Sequence, residues 1–403
     1  MHIPWMIPAA LALTISLAGC APASAPQSSV TPTGTSETGG QATGPEWVSP
    51  SPTPSPTPTF VPREVTINVS GDLLWHNTLW KSAELDARQA GGSGMDFYPQ
   101  LSGLTRYVSG ADMAICHSEV PFAPEGGPYQ NYPLFAAPPQ IAPALQQVGW
   151  DLCTTASNHT MDAGWDGLVR TIAVHNDNGI LTAGSYATEE AAATPVIYTT
   201  ADGVKVAVIS QTYGLNGLPK AKDKPWSVQL IDADVAIADA RKAREAGADI
   251  VTVHIHAGDE YSSSLNKQQK EFAEAVTASG EVDFVFGQHA HVVQPIDNVN
   301  GVWVFYGSGN LIASSGPAKP RSYDGYVGQV TFEERPDGGF VATAAEFAPT
   351  MITKYGGGKA ARVLLIADAL REGVGSASDL EASAERTRTT VRALGVEGLT
   401  ERE

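Results

Sequence analysis

Asp72, Glu119, Asn158, His159, His256, His289 and His291 each close, or directly follow, a short run rich in Val, Ile and other apolar residues. By type they are carboxylates, an amide and imidazoles. Carboxylate together with imidazole is the ligand set of Mn, Zn or Fe, whereas Ca and Mg sites are built from oxygen. A shared carboxylate can bridge two such ions about 3.5–4 Å apart, and the pair clamps a phosphoryl or carbonyl oxygen. It also draws the pKa of a bound water down toward ~7. A nearby imidazole that holds no ion can then protonate a leaving group. Each residue alone has an ordinary explanation. Asp72 in Gly71-Asp72 suits a turn or helix cap, and Glu119 suits a surface charge at a strand end. The pair His289-Ala290-His291 is the strongest local signal, because two imidazoles one residue apart after Gly287 can face a common point. His254 and His256 share the same spacing.

The positions matter more than the types. Open α/β sheets place their ligands beyond the carboxyl ends of strands. The apolar runs read as buried strands at 65–69, 113–119, 151–157, 250–255 and 283–286. Between them, apolar spacing near 3.6 predicts helices over 98–108, 139–148, 164–176, 234–246 and 266–278. Three hairpins follow from their turns: 195–199 with 204–209, 295–297 with 302–306, and 326–333 with 340–347. Alternating β and α segments with added hairpins predict an α/β fold with mixed sheets. This domain runs over 63–350. The remainder, 351–403, reads as a helical tail, polar on most faces and packed lightly or not at all.

The amino-terminal part differs. Residues 1–20 hold an apolar stretch too short to span a bilayer as a mature helix, ending in Leu17-Ala18-Gly19-Cys20. That quartet resembles the lipobox of bacterial lipoproteins, which implies acylation of Cys20 and an extracytoplasmic, membrane-anchored protein, although the segment before it has no Lys or Arg. Residues 21–62 are Ser, Thr, Pro and Gly with almost no large apolar side chain, and cannot offset their chain entropy by burial. They read as a disordered spacer. Cys116 and Cys153 both lie in apolar runs and read as buried free thiols, with a disulfide as the alternative in an exported protein. The net charge of −18 excludes nucleic acid as a partner, because phosphate contacts need clustered Lys and Arg. It also argues against loose adhesion to anionic lipid. Lys220, Lys222 and Lys224 make one basic spot that reads as a solvated loop.

Six segments occur in a telling order. They are Gly71-Asp72-Leu73-Leu74-Trp75-His76, His117-Ser118-Glu119-Val120-Pro121, and Ser157-Asn158-His159-Thr160-Met161-Asp162-Ala163-Gly164. Then come His256-Ala257-Gly258-Asp259-Glu260-Tyr261, Gly287-Gln288-His289-Ala290-His291-Val292-Val293-Gln294, and Tyr306-Gly307-Ser308-Gly309-Asn310. Over about 65–312 the chain resembles the CapA/PgsA-type poly-γ-glutamate capsule synthesis family, a branch of the calcineurin-like metallophosphoesterases. The resemblance implies a sandwich of two mixed β-sheets flanked by helices, with divalent ions, expected as a pair of Mn, Zn or Fe, at the strand ends. It implies metal ligation by Asp72, Glu119 (as the bridge), Asn158, His256, His289 and His291, with His159 as proton donor oriented by Asp162. The wider superfamily has a histidine two residues after the first aspartate; here that place is Leu74, and His76 is the candidate substitute. His117-Ser118-Glu119 stands where Asn-Leu-Glu is more usual.

The implied function is metal-dependent hydrolysis of phosphoester type in the synthesis of capsule or another envelope polymer. The substrate would be an anionic polymer or a phosphoester. A second expectation is a non-catalytic, metal-binding partner of a membrane polymer synthase or exporter. A third, a secreted 5′-nucleotidase, is disfavoured by the short segment after Gly358.

Overall fold

β1 (Glu64–Leu73) alternates strictly at its start, with Val65, Ile67 and Val69 buried in one apolar layer. It continues into α1 (Asn77–Gln89), a helix that the apolar spacing does not announce. The computed structural model describes residues 60–316 and 319–402, together with Gly44. Cys20 with its segment, and all of the spacer except Gly44 and residues 60–62, lie outside the described residues.

After α1 the expected helix over 98–108 is broken into α2 (Tyr98–Leu101), a 3-10 turn, and α3 (Thr105–Val108). Next come β2 (Met113–Ser118), α4 (Ile141–Val148), β3 (Leu152–Thr154), α5 (Gly164–Asp177) and β4 (Leu181–Ala183). β1 to β4 are parallel neighbours in one sheet. α6 (Glu189–Ala193) leads to the second sheet. Its strands are β5 (Ile197–Thr199), β6 (Lys205–Thr212), β7 (Ile250–Ala257), β8 (Phe284–His289), β9 (Ile296–Val299) and β10 (Val302–Phe305). They lie in the order β5-β6-β7-β8-β10-β9, parallel in the middle and antiparallel at both edges. α7 (Ala233–Glu245) and α8 (Lys267–Ala278) are the crossovers. Asn266 and Gln269 form a capping box at the start of α8. The chain then returns to the first sheet with β11 (Asn310–Ile312), β12 (Asp324–Glu334) and β13 (Phe340–Ile352). The architecture is α/β with two mixed sheets, as expected.

The segment after 351 does not behave as a loose tail. β14 (Val363–Leu365) and β15 (Leu399–Glu401) both pair with β13, and α9 (Ile366–Glu372) and α10 (Ala377–Val391) pack beside them. Leu380, Ala384, Val391 and Leu399 are buried. Thr59–Glu403 is therefore a single compact unit. Cys116 and Cys153 are not free thiols: they sit opposite each other in β2 and β3 and form a disulfide.

Strand alternation sorts the interior into layers. Met113 and Ile115 of β2, Val206 and Val208 of β6, Ile250 of β7, and Phe284 and Phe286 of β8 fill the space between the sheets. Ala114 and Cys116 point outward against α1, α2 and α4, while Val251, Val253 and Ile255 point outward against α7 and α8. Toward the carboxyl ends of the same strands the inner face turns polar: His117 follows Ile115, His254 and His256 follow Thr252, and Gln288 follows Phe286.

Candidate metal centre

Asp72 reaches the inter-sheet space through an irregularity in β1. Val69 lies opposite Ile115 and Asp72 opposite His117, so three steps along β1 match two along β2. The extra residue is a bulge, and it restores Asp72 to the face that carries Val69. Gly71 is required here because a Cβ would collide with the Gly309 carbonyl, where β11 closes on β1. Asp72 is thus flanked in its sheet by His117 and Asn310.

Among the described residues, three overlapping groups of candidate ligands result: Asp72, His117 and His256; Asp72, Glu119 and His291; and Glu260, His289 and His291. Within each group the donor atoms all lie within 4.8 Å of one another. Asp72 and His291 each belong to two groups. His291 Nδ1 lies 3.3 Å from Asp72 Oδ2, and its Nε2 lies 3.6 Å from Glu119 Oε1. His256 Nε2 is 3.9 Å from Glu119 Oε1 and 2.8 Å from Asn158 Oδ1. The structure therefore brings together Asp72, Glu119, Asn158, His256, His289 and His291. Beside them His159 Nδ1 donates to Asp162 Oδ2 at 2.6 Å, and that oxygen also accepts the Phe135 N–H at 2.8 Å. His76 stands apart from all three groups, and the Ser314 N–H points at its Nδ1 from 3.1 Å. Burial pushes its ring down to about 4.

Several residues gain importance only in three dimensions. His117 lies inside a strand that reads as apolar, yet its spacing of two from Glu119 puts both on one face. Asn310 Oδ1 lies 3.0 Å from His291 Nδ1, while its amide group donates to the carbonyls of His291 and Ser322. Asn310 therefore holds the Nδ1–H of His291 and leaves Nε2 free toward Glu119. Asn216 accepts from Asn158 Nδ2 at 3.1 Å. The Tyr213 ring lies 4.5 Å from that of His289, and the Tyr261 ring 5.9 Å from that of His291. Lys319 Nζ sits 3.7 Å from the centre of the Tyr261 ring.

The backbone here is unusual. Asn216, Tyr261, His289 and His291 all have positive φ, at 50°, 61°, 105° and 56°. Such conformations cost of order 1–3 kcal/mol each and cluster where the surroundings over-determine them. Tyr261 is held by its N–H on the Ala290 carbonyl at 2.7 Å.

The electrostatics ask for a cation. Asp72 and Glu119 are at most 1% exposed, and none of their carboxylate oxygens has a hydrogen-bond partner. The ring atoms His117 Nε2, His256 Nδ1 and His289 Nδ1 are equally buried and unpartnered. Unpartnered buried polar atoms are costly, and unpaired buried carboxylates more so. Burial pushes Glu119 up to about 7, with His291 opposing and Asp72 adding to the shift. Burial works against a charge on His291, but Glu119 and Asp72 overcome it and push the ring up to about 10. Burial drives His117 and His256 well below the usual histidine range, and His289 down to about 3. Neutral imidazoles with open lone pairs around bare carboxylates fit divalent metal ions of the Mn, Zn or Fe kind. For His159, burial lowers the ring, but the Asp162 carboxylate and then Glu119 raise it above its ordinary value.

Residues 66–315 match the family described as bacterial capsule synthesis protein PGA_cap. The chain is 29% identical over 178 residues to the PGA biosynthesis protein CapA of Bacillus subtilis (strain 168), covering 44% of this chain and 46% of that one. It is 27% identical over 185 residues to the capsule biosynthesis protein CapA of Bacillus anthracis, covering 45% and 44%. The aligned part thus spans a little under half the length of either relative. Among solved structures, the calcineurin-like phosphoesterase YfkN from Bacillus subtilis is similar with a TM-score of 0.44 and 14% identity, over 82% of this chain and 98% of that one. The 5′-nucleotidase precursor from Thermus thermophilus is similar with a TM-score of 0.41 and 11% identity, over 83% and 60%.

Proposed function

The chain belongs to the bacterial capsule synthesis protein family PGA_cap, and we propose that it is a metal-dependent hydrolase of phosphoester type acting in the synthesis of a capsule or related envelope polymer. The observation that carries this reading is the set of three overlapping carboxylate–imidazole groups with the His159–Asp162 pair beside them. Asp72, Glu119, Asn158, His256, His289 and His291 would hold two divalent ions. Bound there, such ions supply a nucleophilic water near neutral pH and a clamp for an anionic oxygen.

The protein's own residues do the rest. Asp162 accepts the Nδ1–H of His159, which fixes the tautomer and leaves Nε2 as the atom that gains and loses the working proton. The same carboxylate oxygen is tied to the Phe135 N–H, so the imidazole is anchored to the backbone. The Phe135 ring meets the His159 ring edge-on at 4.9 Å and limits its rotation. Burial lowers the ring, but Asp162 raises it above its ordinary value, which favours its role as donor of a proton to a departing oxygen. The Tyr213 and Tyr261 rings flank the imidazoles of His289 and His291.

The test is direct. The purified protein is assayed on a generic phosphodiester and a monoester with Mn²⁺, Zn²⁺ and Fe²⁺, beside His159→Ala. Turnover that falls by ~10²–10⁴ in the variant supports the reading. Absence of turnover with every metal rejects it.

A second reading follows from the relatives, which are named for biosynthesis. In it the metal centre organises a non-catalytic partner of a membrane polymer synthase or exporter. Cells carrying His159→Ala would then keep full polymer output. In either reading Cys20 would be the acylated anchor of an extracytoplasmic protein. Incorporation of labelled palmitate that is lost in Cys20→Ala tests that placement.

A further inference from the structure

Leu74, where the resemblance leads to a histidine, is 5% exposed and packed in the apolar core with Leu73 and Trp75. It offers no donor. On the neighbouring strand, His117 is fully buried and faces the inter-sheet space directly beside Asp72. We infer that His117 is the metal ligand that completes the inner position with Asp72 and His256, and that it takes the place left without a donor at Leu74. This rests on the metal-binding reading above, and not on any particular substrate or reaction.

The geometry fixes which nitrogen is available. The Thr154 hydroxyl donates to the Cys116 carbonyl at 3.3 Å. Its single proton is thereby used, so its oxygen accepts from His117 Nδ1 at 2.8 Å. With the proton on Nδ1, the lone pair is on Nε2. That atom has no hydrogen-bond partner and lies 4.0 Å from Asp72 Oδ1. Two donors each about 2.1 Å from one ion stand about 3–4 Å apart, so the pair is spaced as ligands of one ion. The His117 ring is also held in place on its faces, with the His256 ring at 4.8 Å and the His254 ring at 4.6 Å. His254 itself is tied through Nδ1 to the Ser210 hydroxyl at 2.8 Å. A ligating imidazole usually donates its other ring N–H to an acceptor behind it, and here the Thr154 hydroxyl oxygen is that acceptor.

Position in the sheet supports the same assignment. The bulge in β1 and the parallel register of β1 with β2 place Asp72 and His117 side by side. The disulfide one residue back, between Cys116 and Cys153, joins the two strands that carry His117 and its orienting Thr154. A ligand reached in this way comes from β2 rather than from the loop after β1, and it adds a nitrogen donor deep in the site.

The experiment uses the full chain, stripped with chelator and reconstituted with Mn²⁺ or Zn²⁺. Wild type, His117→Ala, His117→Gln and Thr154→Val are compared by elemental analysis and by competition against a chromophoric chelator. Folding of each variant is checked by circular dichroism in the presence of EDTA. The expected result is about one ion fewer per chain, or at least ~100-fold weaker binding at one position, in both His117 variants. Thr154→Val should weaken the same position by ~10–100-fold. A folded His117 variant with wild-type stoichiometry and affinity overturns the assignment while leaving the metal-centre reading intact. A wild-type protein that binds no metal overturns both. Should the Ala variant fail to fold, the Gln and Thr154→Val variants give the decision. Co²⁺-loaded wild type also reads the ligand directly: loss of a nitrogen donor shifts and weakens its visible absorption bands in His117→Gln, and unchanged bands count against the proposal.

Discussion

At the residue level, the proposed chemistry depends on how each imidazole is held from behind. Asp162 fixes His159, Asn310 fixes His291 and Thr154 fixes His117. Asp162→Asn should therefore keep the fold but lower turnover by ~10–100-fold, because the amide no longer selects the tautomer. Steady-state assays against wild type check this, and unchanged turnover would show that His159 needs no orienting partner. His175 makes a separate, structural prediction. It is fully buried, stacked 5.0 Å from Phe122, with Nδ1 on the Thr171 carbonyl at 2.8 Å. Burial lowers its ring from 6.5 to about 4. Because the folded value is depressed, the stability contributed by the neutral ring is complete above the unfolded value and is lost as pH falls toward 4. Between pH 7 and 5 the loss is about 2 kcal/mol. Urea denaturation should show that much less acid sensitivity in His175→Phe than in wild type. The carboxylates and most imidazoles were legible in the sequence because they sit at strand ends. His117 was not, because it lies within the apolar run; only its spacing of two from Glu119 carried the signal.

At the level of elements, the longer strands and the helices α4, α5, α7 and α8 followed from periodicity, whereas α1 and the shortest strands did not. β14 and β15 have three residues each, too few to display alternation. α10 was expected as part of a helical tail, but its packing was not, because its buried face is made largely of small residues: Ala384, Ser383 and Thr387 beside Leu380 and Val391. They are fixed by tertiary contacts instead. Leu399 packs into the inter-sheet core, Arg388 pairs with Glu401 at 2.6 Å, and Arg386 pairs with Asp324 at 2.7 Å. Leu399→Ala should cost about 2–3 kcal/mol in urea denaturation. A loss below ~0.5 kcal/mol would mean that β15 is an ornament on the sheet. The disulfide was likewise open in the sequence, since two cysteines in separate apolar runs give no register. Once β2 and β3 are paired, Cys116 and Cys153 are neighbours. Cys153→Ser should lower stability by about 2–4 kcal/mol, as for loops of this length (the two residues are 37 apart), read by the same titration.

The whole molecule sets the conditions under which a substrate of the proposed kind would meet the site. Its net charge is −18, so an anionic polymer or phosphoester would approach against the general field. Turnover of an anionic substrate at low concentration should therefore rise between about 10 and 150 mM salt, as screening shortens the reach of that repulsion. A fall over the same range would mean that the metal centre and Lys319 dominate the local field. The α/β class with mixed sheets was readable from the order of strands, and the residues that close them marked the polar end; the division into two sheets was implied only by the family resemblance. The bulge that turns Asp72 inward was not, because an inserted residue in a parallel pair leaves no mark in composition.

All of this depends on whether Asp72, Glu119 and the surrounding imidazoles hold metal. Elemental analysis of the chelator-stripped and Mn²⁺- or Zn²⁺-reconstituted protein, with Asp72→Ala beside it, asks that question directly. Asp72 belongs to two of the three ligand groups. Two ions per chain in wild type, and no more than one in Asp72→Ala, is the predicted result. No bound metal in the wild-type protein, or the same content in both, would contradict the account.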